Sequence, residues 1–407
     1  MGVIAAQQHG GVGVRQVVHA TNLPPRAGLR YRRRVQRIHH APRPDFARRA
    51  AELGFSFHTI DGAPYWTEDA HYAFTAAEID VLDDATAAVE ALCLEAVQKL
   101  VEDGGQYARF GLSDFAAALV EASWLNRHRH IYGRMDFAWN GQGPPKLLEY
   151  NADTPTALFE ASVVQWEWLQ ALDAGADQFN SLHEKLVAAW RGYGVEGPVH
   201  FTSVGPALAA FAEDRGTTEY MRDVAHQAGL VTEVLDIERI GWDGEGFTDA
   251  DNQRITTLWK LYPWEWLVAE EYGKLIPVSG CHFIEPAWKM LLSNKAILPV
   301  LWELFPGHPN LLPAFEQPGQ TGGPEVSKPI LGREGANVAL PGQPETEGPH
   351  AGQKRIYQAF HPLFESGGRY AVIGSWTVAG QPAGIGLRED AQAVTTNASC
   401  FVPHLFR

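Results

Sequence analysis

Cysteine is scarce in this chain: Cys93, Cys281 and Cys400 are the only three among 407 residues. Their wide spacing and odd number argue against a disulfide framework or a zinc ribbon, and each reads as a small buried hydrophobe. No apolar run approaches the roughly 18 residues of a membrane span, and residues 1–30 hold no continuous signal-peptide core. A soluble chain in the reducing cytoplasm, without a membrane partner, is the expectation. Basic residues are outnumbered 33 to 48, for a net charge of -15, which argues against nucleic acid as a partner. Phosphate would have to be handled by a few placed Lys and Arg residues. Also missing are a P-loop, a dinucleotide-binding glycine fingerprint, a Gly-x-Ser-x-Gly elbow and any internal repeat. His39, His40 and His361 have no metal-ligand spacing. The first acid of the chain is Asp45, so residues 1–44 form a basic stretch with Arg32-Arg-Arg34 and Arg37. It reads as a poorly ordered extension preceding a folded unit at 45–407.

What the chain does have is concentrated between Arg134 and Asn151. Asn140-Gly141 marks a hairpin turn between two runs of alternating polarity. Met135, Phe137 and Trp139 point one way, with Arg134 and Asp136 opposite; Leu148 and Tyr150 likewise oppose Glu149 and Asn151. One face thus gathers a guanidinium, two carboxylates and an amide. Two carboxylates and an amide oxygen suit Mg²⁺, which keeps water and phosphate oxygens as its remaining ligands. The alternative is a solvated hairpin face with surface ion pairs. Thr154 and Pro155 then read as N-cap and first position of a helix through Leu169, whose N-terminus favours an anionic ligand group.

Helical spacing of Ile79, Leu82, Val89, Leu92, Val97 and Leu100 predicts a long helix packed on the hairpin sheet. Strands at 197–205, 231–237 and 255–260 around a helix at 219–228 give an α/β pattern. A short helical segment at 294–302 precedes strands at 325–331, 353–360 and 370–378, and a turn at Ala379-Gly380 leads to 384–390. Residues 313–325 and 341–353 read as mobile loops. Lys328 lies just before the glycine-bearing turn Gly332-Arg-Glu-Gly335, where loop N–H groups and an ammonium could surround phosphate; such turns also join strands with no ligand at all.

Seven segments, Arg134-x-Asp136, Leu148-Glu-Tyr-Asn-Ala-Asp153, Glu213-Asp214, Ser293-Asn-Lys-Ala-Ile-Leu-Pro299, Ser327-Lys-Pro-Ile330, Gly332-Arg-Glu-Gly335 and Gly386-Leu-Arg388, stand in the order of the synthetase domain of the glutathionylspermidine synthase family. From about Asp45 onward the chain resembles that family, and most of all its stand-alone acid–amine ligase members. The resemblance implies a mixed α+β and α/β architecture: an ATP-grasp fold with an additional α/β substrate-binding lobe. It implies ATP and Mg²⁺, a carboxylate activated as an acyl phosphate, and an attacking amine. By the same likeness Asp136, Glu149 and Asn151 would hold Mg²⁺, and Lys295, Lys328, Gly332 and Gly335 would contact ATP, with Gln358 and Phe360 beside adenine. Arg134 and Arg388 would act on the transferred phosphoryl group. Two departures mark the acid side. Glutathione-binding members carry serines where Thr154 and Thr156 flank Pro155, and a lysine where this chain reads Val394-Thr-Thr-Asn397. The likeness therefore does not carry glutathione over as the acid.

The leading expectation is a ligase joining a small-molecule acid, such as a peptide, to an amine, such as a polyamine. Thr154 and Thr156 are candidates for the acid pocket, Glu213 and Asp214 for drawing in a cationic amine or else for a solvated acidic loop. A non-catalytic nucleotide- or peptide-binding protein on the same scaffold, and a phosphotransferase that stops at phosphoryl transfer, are the competing readings.

Overall fold

The computed structural model describes residues 35–60, 62–205, 212–396 and 399–407. Most of the basic N-terminal stretch, residues 1–34, lies outside the described residues, as does Asn397. The folded unit nevertheless starts upstream of Asp45. Strand β1 (Gln36–His39) pairs antiparallel with β2 (Ala70–Phe74), and Arg37 is clamped to Glu389 at 2.6 Å with little of either side chain exposed. That bidentate pair is invisible in a reading based on local composition, because its partner is 352 residues away.

Helix α1 (Ala76–Asp103) begins with a full capping box, Thr75 accepting from the Glu78 N–H and Glu78 accepting from the Thr75 N–H, and ends at Gly104 with φ 63°. These caps satisfy backbone groups that helix ends leave free. The buried stripe Ile79, Leu82, Val89, Cys93, Val97 and Leu100 is the predicted one, with Leu92 packed at its edge. It is followed by α2 (Asp114–Leu125) and then by strands β3 (Tyr132–Ala138) and β4 (Lys146–Asn151).

Beyond β4 the helical path begins at Leu158, passes through a π-helical turn at Glu160–Val164 and continues as α3 (Gln165–Leu172). Thr154 is therefore not its N-cap, contrary to the sequence expectation. Irregular backbone, with bends at Asp153 and Thr154, runs through the turn instead, and Ala157 takes the left-handed φ of 66°. After α4 (Leu182–Tyr193), strands β5 (Val199–Ser203), β6 (Thr232–Asp236), β7 (Thr257–Leu261) and β8 (His282–Ile284), with α5 (Ala212–Gln227) between the first two, build the expected α/β lobe. Its parallel sheet runs β8-β7-β5-β6. Every residue of β5 and of β7 is buried, as parallel strands covered on both faces must be.

Helix α6 (Ile297–Leu304) precedes a small antiparallel sheet, order β9-β11-β10, made of β9 (Ala314–Phe315), β10 (Glu325–Pro329) and β11 (Arg355–Ala359). The chain then returns to the main sheet through β12 (Arg369–Val378), β13 (Gln381–Asp390) and β14 (Cys400–Val402). There the order β14-β13-β12-β3-β4 is antiparallel throughout, so strands more than 200 residues apart in sequence lie side by side. Thr86 on α1 meets Ser375 on β12 at 2.6 Å, and Glu90 accepts from the Tyr150 hydroxyl of β4 at 2.7 Å, fixing the helix across this sheet. Among the described residues no helix is long and apolar enough to cross a membrane. Cys93 is buried as expected; Cys281 and Cys400 are only half-buried, and all three are free.

Candidate active site

The main sheet and the small sheet face one another across a cleft. Its floor is the β3–β4 hairpin, where Asp136 pairs with Glu149 and Arg134 with Asn151 in register. Two local features differ from the sequence reading. Residues 139–145 form a longer loop than a two-residue turn, with Asn140 Oδ1 accepting from the Gln142 N–H and Gly141 at φ 80°. A bulge between Asp136 and Phe137 also sets Leu147, rather than Leu148, against Phe137 in the core. Leu148 is thereby released from strict alternation and lines the cleft with Glu149.

The charges on the floor are tightly interlocked. Arg134 donates to both Asp136 oxygens at 2.8 and 3.2 Å and to the Thr156 carbonyl at 2.8 Å. Asn151 Nδ2 lies 3.3 Å from Asp136 and 3.4 Å from Glu149. Lys295 bonds Glu149 at 2.9 Å and the Gly332 carbonyl at 2.6 Å. Burial pushes the Glu149 carboxyl up, but Lys295 and Lys328 outweigh it and hold it at about 2. Asp136 is different, because there burial prevails over Arg134 and its carboxyl titrates above the ordinary range.

From the opposing sheet, Lys328 donates to Gln358 Oε1 at 2.8 Å and to the Leu148 carbonyl at 3.0 Å, while Gln358 Nε2 donates to Leu147. Burial lowers the Lys328 ammonium to about 8, against the opposing pull of Glu149. The Ala359 and Phe360 N–H groups are engaged by Pro313 and Pro324, which leaves the Phe360 ring, 40% exposed, as that segment's face to the cleft. Gly332 and Gly335 cover the cavity from above. At Gly335, φ 67°, an added Cβ would sit 2.4 Å from the Thr395 carbonyl oxygen, so only glycine fits. The cavity is about 110 Å³, smaller than the roughly 300–1,000 Å³ of ordinary small-molecule sites.

Arg388 enters from β13 at the Glu160 end of the cleft. With Arg134 and Asp136 it lines a water-sized cavity of about 20 Å³. Its Nη2 donates to the Thr396 carbonyl at 2.7 Å, but its buried Nε has no partner. The acids of α5 approach from the α/β lobe. Burial first, and Glu213 second, raise the Asp214 carboxyl to about 7, with Arg333 opposing. The wholly buried Glu160 rises to about 8 for the same two reasons, and accepts from the Tyr65 hydroxyl at 2.6 Å. One oxygen of Glu160 and one of Glu213 are buried without a partner. Glu213 and Asp214 thus sit on a half-buried helix start and not in a solvated loop.

The turn after β4 divides its roles. Thr156 holds Arg134 through its carbonyl, whereas Thr154 Oγ1 accepts from Arg333 Nη1 at 3.1 Å. Thr154, Asn151, Arg333 and Glu265 line an adjoining cavity of about 260 Å³ that shares Lys295 and Gly332 with the cleft. Arg333 pairs with Glu265 at 2.6 Å. Asp153 anchors the turn from below, bonding Lys260 at 2.6 Å and the Trp264 N–H at 2.9 Å. Sequence reasoning missed Arg333, Glu265, Glu160 and the Asp153–Lys260 pair. Only Arg333 carried a local signal, its place between the two glycines. Among the described residues no three His, Cys, Asp or Glu side chains converge as a self-sufficient cation cage.

A family model described as "Glutathionylspermidine synthase preATP-grasp" matches residues 37–407. The chain belongs to the glutathionylspermidine synthase family. Within or near it, the chain is 39% identical over 387 residues to a Haemophilus influenzae protein named "Putative acid--amine ligase", covering 89% of this chain and 97% of that one. It is 29% identical to the "Bifunctional glutathionylspermidine synthetase/amidase" of Escherichia coli, covering 82% of this chain and 58% of that protein. With the "Trypanothione synthetase" of Crithidia fasciculata it shares 27% identity, over 74% of this chain and 51% of the other. The chain thus spans little more than half of these two larger relatives. A glutathione synthetase-like effector from Globodera pallida has the same fold at TM-score 0.51 and 11% identity, covering 83% of this chain and 89% of that one. The architecture is that of ATP-grasp ligases, as expected for a glutathionylspermidine synthase family member.

Proposed function

We propose that this chain is an ATP- and Mg²⁺-dependent ligase that joins a small-molecule acid to an amine through an acyl phosphate. The observation that supports this most directly is the pairing of Asp136 with Glu149 across one strand pair, with Lys295 and Lys328 closing over them and Arg388 beside them. Two acids and an amide fit Mg²⁺ provided nucleotide phosphates complete its shell, and the bound ion would neutralise charge on the transferred group. In that role the Asn151 amide would present its oxygen, where it now presents Nδ2 to both carboxylates. Lys328 and Lys295 would hold phosphate oxygens, and Arg134 and Arg388 would meet charge as it moves onto the phosphoryl group.

The cavity shared by Asn151, Thr154 and Arg333 suits the acid, since Arg333 offers a guanidinium that two partners do not exhaust. Glu213 and Asp214 suit a cationic amine. A peptide such as glutathione and a polyamine such as spermidine are the first pair to try. The test is ADP release by the purified protein with Mg-ATP over a matrix of peptides and polyamines, with the amide product identified by mass. ADP release without any amide would favour a phosphotransferase, and no turnover with any pair would favour a binding protein.

A further inference from the structure

A second cavity among the described residues is larger than the cleft. A groove of about 750 Å³ lies between the end of α2, the segment 127–130, helix α4 and the β12–β13 turn. Its lining contains Arg127 and Arg129, His128 and His130, and the rings of Trp124 and Trp288, but no acid. In a chain of net charge -15, a concavity of this size without a carboxylate is a departure from composition. The histidines add donors and acceptors rather than charge, because burial holds His130 at about 3 and lowers His128. The guanidinium of Arg127 is exposed and has no ion pair or hydrogen bond among the described residues. Arg129 spends only Nη1, on the carbonyls of Gly192 and Tyr193. Trp124 and Trp288 stand edge to face at 5.2 Å, and His130 lies 5.2 Å from Trp288, so the wall offers ring surfaces beside the cations.

Backbone conformation adds an independent observation. Among the described residues, six other than glycine take positive φ: Arg127, Ala157, Asn252, Glu334, Asn337 and Ala379. Ala157 and Glu334 line the candidate active site, and Arg127 and Ala379 line this groove. Left-handed backbone is disfavoured at such residues and collects at functional sites. The strain that marks the cleft marks this groove as well.

We propose that the groove is a second binding site, taking a small organic anion that joins a planar ring to a phosphate. Arg127 and Arg129 would grip the phosphate, and the Trp124, His130 and Trp288 rings would pack against the ring. The volume lies within the range of small-molecule sites. No residue is shared between the groove and the cleft, so the site stands or falls independently of the ligase reading.

Phenyl phosphate is the minimal probe, followed by saturation-transfer NMR with the full chain, parent and Lys328→Ala side by side, in the absence of nucleotide. Binding is expected to persist in Lys328→Ala, and Arg127→Glu should weaken it by roughly tenfold or more, the effect of losing a charge-assisted contact. Trp124→Ala should weaken phenyl phosphate but leave inorganic phosphate unchanged. Benzoate should bind more weakly than phenyl phosphate if the anion is doubly charged. The proposal is overturned if phenyl phosphate fails to bind, if Arg127→Glu binds it normally, or if Lys328→Ala abolishes the signal. Equal affinity for inorganic and phenyl phosphate would overturn the aromatic half of the assignment.

Discussion

The two ends of the candidate active site solve the problem of buried charge in opposite ways. On the hairpin floor each formal charge has a partner: Asp136 has Arg134, Glu149 has Lys295, and Lys328 has Gln358 and a carbonyl. At the other end Arg388 Nε, one Glu160 oxygen and one Glu213 oxygen are buried and unpaired. A buried polar atom left unpaired costs about 1–3 kcal/mol, more if charged. The floor is therefore prearranged by compensation within the chain, while the far end holds buried polar atoms whose partners would come with a ligand. Substitutions on the floor should damage the frame and the chemistry together, whereas those at the far end should affect ligands more selectively.

The sharpest break in this contrast would come from the floor. Asp136→Asn and Glu149→Gln are expected to lower Mg-ATP turnover by well over about tenfold each, since each removes a full charge from a site that holds metal and triphosphate. Thermal melting should also fall in Asp136→Asn, because Arg134 is left buried without its counter-charge. Wild-type ADP release in both variants would sink the metal assignment. Next in size, Lys328→Ala should raise the ATP Kd while Arg388→Ala lowers kcat more than binding. The lysine meets ground-state phosphate, and the arginine meets charge that develops in transfer. Calorimetry and steady-state kinetics separate the two, and equal loss of binding in both would contradict the division.

pH should move the two ends in opposite directions. Lys328 titrates at about 8, so it is charged below that pH and neutral above it. ATP affinity should consequently fall as pH rises through 8, approaching about tenfold per unit while protonation must accompany binding, and Lys328→Arg should remove the effect. Asp214 titrates at about 7. It is neutral below and anionic above, so affinity for a spermidine probe should rise from pH 6 to 8. Parallel pH profiles for the two ligands would erase the distinction between the ends.

The legibility of the site follows the same division. Strand alternation and the glycine turn are local, and they exposed Arg134, Asp136, Glu149, Asn151 and Lys328 before any fold was known. Helix α1 and three of the four parallel strands were readable for the same reason, through periodicity of 3.6 or continuous apolar runs, whereas the short β8 was missed. The bulge at Leu148, the Glu160 carboxylate on a π-helical turn, and the Arg37–Glu389 and Asp153–Lys260 pairs depend on contacts between distant segments. No pattern within a window of sequence encodes them. The N-cap reading of Thr154 failed on a subtler point. Thr-Pro is a good helix start locally, but the Thr156 carbonyl is taken by Arg134, and the helical path waits until Leu158.

The smallest expected effect tests that last point. Thr154 lines the cavity adjoining the cleft and accepts from Arg333, which also holds Glu265. With glutathione as the acid probe, Thr154→Ala should raise the acid KM by about threefold, the loss of roughly one weak hydrogen bond, and leave the ATP KM unchanged. A helix cap would instead cost about 1 kcal/mol of stability on removal. Because Thr154 caps nothing here, the melting temperature should stay close to that of the parent chain. Thr156→Ala should be milder still, since Arg134 uses its carbonyl and not its side chain. If Thr154→Ala melts early yet handles the acid normally, the turn serves only the frame. The acid must then bind nearer Glu160, Glu213 and Arg388, among the buried polar atoms that the fold leaves without partners.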